Sequence, residues 1–279
     1  MHELTSPKDM RAWSRAERAR GRRIGVVPTM GFLHEGHLQL VDRAKERADR
    51  TVMSIFVNPL QFGPTEDLGQ YPRDLERDRR LAGERGVDCL FVPETPAMYP
   101  TEPLVRVSPG PMAETLEGAA RPGHFAGVLT VVAKLFHIVE PDIAVFGRKD
   151  FQQAMLVRRL AADLDFGLEI DVAPTVRELD GLALSSRNTY LKGDDRRAAE
   201  AWRSGEADPK VLQRRGMQTL MAPGVSPEYL ELVDERLRPV ARADARTVVV
   251  IAARVGTTRL IDNVVLGEGV ASDVSVRAS

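Results

Sequence analysis

The chain has 279 residues, enough for one large or two moderate domains. Its 39 basic and 40 acidic residues leave a net charge of −1, which argues against bulk electrostatic binding to nucleic acid or to an anionic membrane. No apolar run approaches the roughly 18 residues of a membrane span. The single cysteine, Cys89, excludes an internal disulfide framework and fits a reducing, cytoplasmic setting.

Residues 1–23 read as a lead-in turn and helix. With Asp9 and Glu17 among the arginines, this start is a solvated helix face rather than a transit peptide. Residues 24–27 form a short apolar run, read as a buried strand that Pro28 ends because it has no N–H to give a ladder. Gly31 and Gly36 then bracket a loop, and a helix from His37 runs to about residue 48, with Leu38, Val41 and Ala44 at helical spacing. Residues 51–57 are β-branched and apolar, a second strand ended by Asn58-Pro59. Tyr71-Pro72-Arg73 opens another helix, and residues 88–93 form a third strand. Residues 94–123 are rich in Pro and Gly without periodicity. A strongly apolar helix follows at 125–139, then a strand at 142–146, an amphipathic helix at 151–164 and a strand at 168–173. This alternation predicts a doubly wound, mostly parallel Rossmann-like sheet.

Pro174-Thr175 marks a domain junction, which gives residues 1–175 as the first domain and 176–279 as a smaller α+β domain. There, helices are expected near 194–203 and 209–221, and strands near 229–233, 247–253 and 258–264. The tail beyond Gly267 has no long apolar run and reads as loose.

The stretch Met30-Gly31-Phe32-Leu33-His34-Glu35-Gly36-His37 is strand end, glycine loop and helix start. That arrangement aims backbone N–H groups and the positive end of a helix at an anion. Two histidines three residues apart sharpen the signal. A zinc site needs a third ligand and finds no His-Glu-x-x-His spacing. One turn histidine plus one capping histidine is the bland alternative. The other is a pair of imidazoles donating to oxygens that gain charge in phosphoryl or nucleotidyl transfer. Gly147-Arg148-Lys149-Asp150 is a second strand–glycine–helix junction, notable because only six of the 39 basic residues are Lys. Gln61 and Gln153 are neutral amides able to bind a carboxylate and a hydroxyl without neutralising a nucleophile.

His34-Glu35-Gly36-His37 resembles the His-x-Gly-His signature of the nucleotidyltransferase superfamily that includes class I aminoacyl-tRNA synthetases. The longer string from Pro28 resembles the pantothenate synthetase (pantoate–β-alanine ligase) family. Leu184-Ser185-Ser186-Arg187, Asn58-Pro59-Leu60-Gln61-Phe62, Tyr71-Pro72-Arg73, Arg121-Pro122-Gly123-His124-Phe125 and Arg259-Leu260-Ile261-Asp262-Asn263 match it in family order. The resemblance implies ATP-dependent condensation of pantoate with β-alanine through an acyl adenylate. It places ATP on residues 30–37, 147–150, Val176 and 184–187, and the acid on Gln61 and Gln153. His37, His34, Lys149 and Arg187 become the catalytic cations, Asp78 a candidate Mg²⁺ ligand, and the assembly a homodimer. By itself, a lone helical Asp such as Asp78 reads as a solvated charge. Two departures stand out: Arg148, where many relatives carry an acid or amide, and a segment 192–208 shorter than the family's. A different nucleotidyltransferase and a non-catalytic nucleotide sensor or RNA-binding relative are the rivals; the neutral charge and the intact cations speak against the latter.

Overall fold

The computed structural model describes residues 1–64, 66–178, 183–186, 209–220, 224–268 and 274–276. The chain divides into two units, one of residues 1–147 with 152–173, the other of residues 148–151 with 174–279.

In the first unit the strands are β1 (His2–Leu4), β2 (Ile24–Thr29), β3 (Arg50–Ile55), β4 (Cys89–Phe91), β5 (Ile143–Gly147) and β6 (Glu169–Ala173). They form one six-stranded sheet in the order β1-β4-β3-β2-β5-β6, and every pair is parallel. The helices are α1 (Pro7–Ala19), α2 (Glu35–Lys45), α3 (Leu75–Glu84), the short α4 (Thr95–Met98) and α5 (Glu117–Ala120), α6 (His124–Val139) and α7 (Phe151–Asp163). Alternate strand residues serve opposite faces, as the two-residue period of a strand requires. Val26, Val52, Phe91, Ala144 and Phe146 pack with α1, α6 and α7 residues such as Met10, Leu129 and Leu156. Val27, Met53, Leu90 and Val145 pack with Leu40, Val41 and Ala82 of α2 and α3. Burial on both faces explains why these strands read as continuous apolar runs.

The doubly wound expectation holds, with three adjustments. His2–Leu4 adds an edge strand on β4; three residues before a helix are too short to announce themselves. Helix α3 starts at Leu75 rather than at Tyr71, because Asp74 caps it by accepting from the Arg77 N–H at 3.1 Å. And β2 continues through Pro28 to Thr29. Carbonyls alternate sides along a strand: that of Ile24 accepts from Asp142 at the β5 side, that of Thr29 from Phe56 at the β3 side. Pro28 shares the parity of Ile24, so its missing donor faces β5. The β2–β5 pairing stops at Val26–Ala144, whereas the β2–β3 pairing runs on to Thr29–Ile55. Proline thus unzips one side of the central strand without ending it. The strand order also reverses here, the place where open α/β sheets bind ligands.

In the second unit β8 (Val225–Val233), β9 (Val248–Val255) and β10 (Thr258–Val265) form an antiparallel sheet. It is covered by α8 (Pro209–Leu220) through Leu212, Leu220, Leu230, Leu232, Val249 and Ile251. The strand β7 (Val176–Glu178) pairs with β11 (Val274–Val276), so three residues of the tail expected to be loose are strand. The helix expected near 194–203, the 192–208 segment and Arg187 lie outside the described residues. No described helix is long and apolar enough to cross a membrane.

Candidate active site

The loop between β2 and α2 is held in a conformation that its residues do not prefer alone. Gly31 takes φ +83°, and a Cβ there would sit 2.9 Å from both Asp78 Oδ2 and Ile55 Cγ2. Phe32 takes φ +51°, a left-handed conformation that costs a bulky residue about 1–2 kcal/mol. The first turn of α3 holds it there. Asp78, 1% exposed, accepts from the N–H groups of Phe32 at 2.8 Å and Leu33 at 2.7 Å. Arg77 donates to the Leu33 carbonyl at 2.6 Å, and its guanidinium lies over the Phe32 ring. Thr29 Oγ1 accepts from the Gly31 N–H and donates to the Ser54 carbonyl. Burial raises the Asp78 pKa, against the two backbone N–H groups that favour its ionised form. Both Asp78 oxygens therefore already serve the loop. Among the described residues no group of three or more His, Cys, Asp or Glu could hold a metal. The geometry shows Asp78 holding the loop through these two N–H groups.

The loop delivers His34 as the N-cap of α2 and His37 one turn inside it. Their rings stack, with centroids 4.0 Å apart and planes inclined by 30°. The His34 N–H points at His37 Nδ1, 3.4 Å away. With Nδ1 accepting, the neutral His37 ring carries its proton on Nε2 and presents a donor there. Glu35 turns aside to Arg85 at 2.5 Å.

Beside Met30 lies a chain of side-chain amides. The Gln61 Nε2 group reaches Met30 Sδ at 3.1 Å. Its Oε1 accepts from Asn58 Nδ2 at 3.1 Å, and Asn58 also donates to the Gly127 carbonyl and accepts from the Tyr99 hydroxyl at 2.9 Å. Burial pushes the Tyr99 hydroxyl up to about 12, so it remains a donor. A Cβ at Gly127 would lie 2.1 Å from the Leu60 carbonyl, so only glycine lets α6 approach the 3₁₀ turn Pro59–Gln61 this closely. The Gln61 carbonyl accepts from His124 Nδ1 at 2.8 Å, and Arg121 bridges His124 Nε2 to the carboxylate of Glu66. That guanidinium holds the Glu66 pKa below the usual range.

Residues 30–37, Gln61 and Asp78 are thus brought together at the carboxyl ends of β2 and β3. Gly147 ends β5, the next strand. Gln153, half-buried on α7, is joined to that cluster by no hydrogen bond among the described residues. Its neighbour Gln152 is a structural tie, donating to the carbonyls of Met112 and Thr115 and accepting from the Glu117 N–H. The second unit carries the others. Arg148 pairs with Glu268, and Lys149 Nζ lies 3.3 Å from Asp150 Oδ1. The Leu184 N–H donates to the Val176 carbonyl at 2.9 Å, so two separate sequence positions, with Ser185 and Ser186 following, adjoin. Sequence reasoning missed Arg77, Asn58 and Tyr99 as site supports. Asn58 read as a turn residue and as part of a strip matching the family, and its partners Tyr99 and Gly127 lie far along the chain.

The family model for pantoate-beta-alanine ligase matches residues 2–265. The chain is 50% identical to the pantothenate synthetase of Pelotomaculum thermopropionicum, over 93% of this chain and 97% of that one. It is 48% identical to that of Mycolicibacterium smegmatis, over 98% of this chain and 90% of the other. Among solved structures it is similar to pantothenate synthetase from Thermus thermophilus, with TM-score 0.89, 45% identity and coverage of 95% and 99%. It is also similar to the Francisella tularensis pantoate-beta-alanine ligase complexed with beta-gamma ATP and beta-alanine, with TM-score 0.82, 34% identity and coverage of 97% and 99%.

Proposed function

The chain belongs to the pantoate–β-alanine ligase family, and from that premise we propose that it joins pantoate to β-alanine through a pantoyl adenylate, releasing pyrophosphate and AMP. The observation that carries this reading is the stacked His34–His37 pair, set at the start of α2 where Pro28 unzips β2 from β5.

In the first step the pantoate carboxylate attacks the α-phosphorus of ATP, the bond from that phosphorus to the α,β-bridging oxygen breaks, and pyrophosphate leaves. Charge grows on the phosphate oxygens. His37 Nε2–H is the principal donor to them, with His34, the α2 amino end, Lys149 and Arg187 sharing the load. Mg²⁺ enters with ATP, as part of the co-substrate. Gln61, with its Nε2 toward Met30, holds the acid; Gln153 is the second amide of that subsite. In the second step the β-alanine amine attacks the acyl carbon and expels AMP. The bound ATP and β-alanine of the Francisella tularensis relative support both co-substrates. Ser185 and Ser186 contribute hydroxyl donors near Val176 and Leu184 for the nucleotide. A homodimer, as the resemblance implies, is part of the proposal, and sedimentation velocity tests it.

Pyrophosphate–ATP exchange tests the chemistry. It should require pantoate and proceed without β-alanine. His37→Ala should lower it by about 10²–10³-fold with little change in pantoate affinity. Exchange supported by a phosphorylated acceptor in place of pantoate would overturn the ligase chemistry, and unchanged exchange in His37→Ala would remove that residue from it.

A further inference from the structure

The turn that carries Lys149 is fastened by a residue 114 positions away. Asn263, on β10, is 2% exposed. Its side-chain NH₂ donates to the carbonyls of Arg148 at 2.8 Å and Lys149 at 2.9 Å, which uses both of its donors on successive peptide units. Asn263 is itself held on both sides. Its N–H donates to Asp262 Oδ1 at 2.7 Å, and its carbonyl accepts from Arg177 Nη2 at 3.0 Å. Arg177 is buried on β7 and ion-paired with Asp262. A continuous, largely buried network therefore runs from β7 through β10 to the backbone under Lys149. Residues 148–151 accordingly group with the second unit, while their sequence neighbours on both sides group with the first.

We propose that Asn263 is a positioning residue for Lys149, and that the lysine is thereby carried by the C-terminal unit and not by the parallel sheet whose strand it follows. The inference rests on the role given to Lys149 above. No other common side chain fits the same place. Asp has the shape but sets oxygens against two carbonyls. Gln reaches a methylene too far, and Ala leaves both part-buried carbonyls without these donors. Lys149 needs its ammonium held in register with the triphosphate, and a displacement near 1 Å can cost on the order of 10²-fold in rate.

A double-mutant cycle in the full-length protein tests this, read by pantoate-dependent pyrophosphate–ATP exchange. Asn263→Ala should lower kcat by about 10–100-fold and raise KM for ATP, with KM for pantoate unchanged. In a Lys149→Ala background the same substitution should cost less than about threefold, because its effect passes through the lysine. Equal losses in both backgrounds would make Asn263 merely structural and overturn the proposal. Asn263→Asp, which keeps the shape, is the second variant should Asn263→Ala fail to fold. Wild-type exchange in a folded Asn263→Asp chain would also overturn it. Full exchange in Lys149→Ala alone would instead sink the role of Lys149, a separate and recognisable failure.

Discussion

At His124 two neighbours decide where the proton sits. The Gln61 carbonyl can only accept, so Nδ1 carries the hydrogen, and Nε2 then accepts from Arg121, a guanidinium without an acceptor. Burial first, then the Arg121 charge, pushes the pKa from 6.5 down to about 4. The unfolded chain therefore binds this proton more readily than the folded one. Stability is fully present above pH 6.5 and falls as pH drops toward 4, by at most roughly 1.4 kcal/mol per pH unit from this residue. His124→Gln should flatten that limb, measured as urea midpoints at pH 7 and pH 4.5. Parallel losses in both chains would show that other groups govern it. His124 should likewise stay neutral across pH 6–8 and leave no inflection of its own in a pH–rate profile there. Cys89 is a second buried group with a definite outcome. Burial pushes its thiol up to about 12, so the native protein should resist alkylation at pH 8 until it is unfolded.

Between elements, the decisive relation is that α3 holds the loop before α2. Asp78 satisfies two N–H groups of a strained turn but pays for its own burial, so the two effects on stability oppose each other. Asp78→Asn places an NH₂ against one of those donors. We expect a loss of exchange of about tenfold or more as the His34–His37 pair shifts, with a melting temperature within a few degrees of wild type. Excess Mg²⁺ should not restore the rate; restoration would return Asp78 to the metal. Gly127→Ala should push the Pro59–Gln61 turn away, raise KM for pantoate and cost about 1–3 kcal/mol in stability. These supports explain what was legible beforehand and what was not. The glycine loop and its two histidines are contiguous, so they were plain in the sequence. Asp78 read as a solvated charge or, through the resemblance, a candidate Mg²⁺ ligand; its hold on the loop was not legible, because a carboxylate's partner 45 or 46 residues away leaves no periodic trace. Asn58 and Tyr99 meet only across 41 residues and the folded sheet.

For the molecule as a whole, the order of strands and helices was readable because the inner strands β2 to β5 are apolar on both faces and the long helices repeat at their own period. The grouping of residues 148–151 with the second unit was not. The boundary near residue 174 shows in composition, yet among the described residues the partners Asn263 and Glu268 that tie residues 148–151 to the second unit come over 110 residues later. Both core clusters of the sheet are drawn entirely from residues up to 173, so the first unit owns the apolar packing it needs. A chain cut after Ala173 should then keep the circular dichroism of an α/β protein and unfold cooperatively. It should nevertheless lose at least about 10²-fold in pantoate-dependent exchange, since the turn bearing Lys149 has lost Asn263, and Leu184, Ser185 and Ser186 are gone. A truncated chain that folds and exchanges at the full rate would place the adenylation machinery wholly in the parallel sheet. That result would contradict the roles proposed for Lys149 and Arg187.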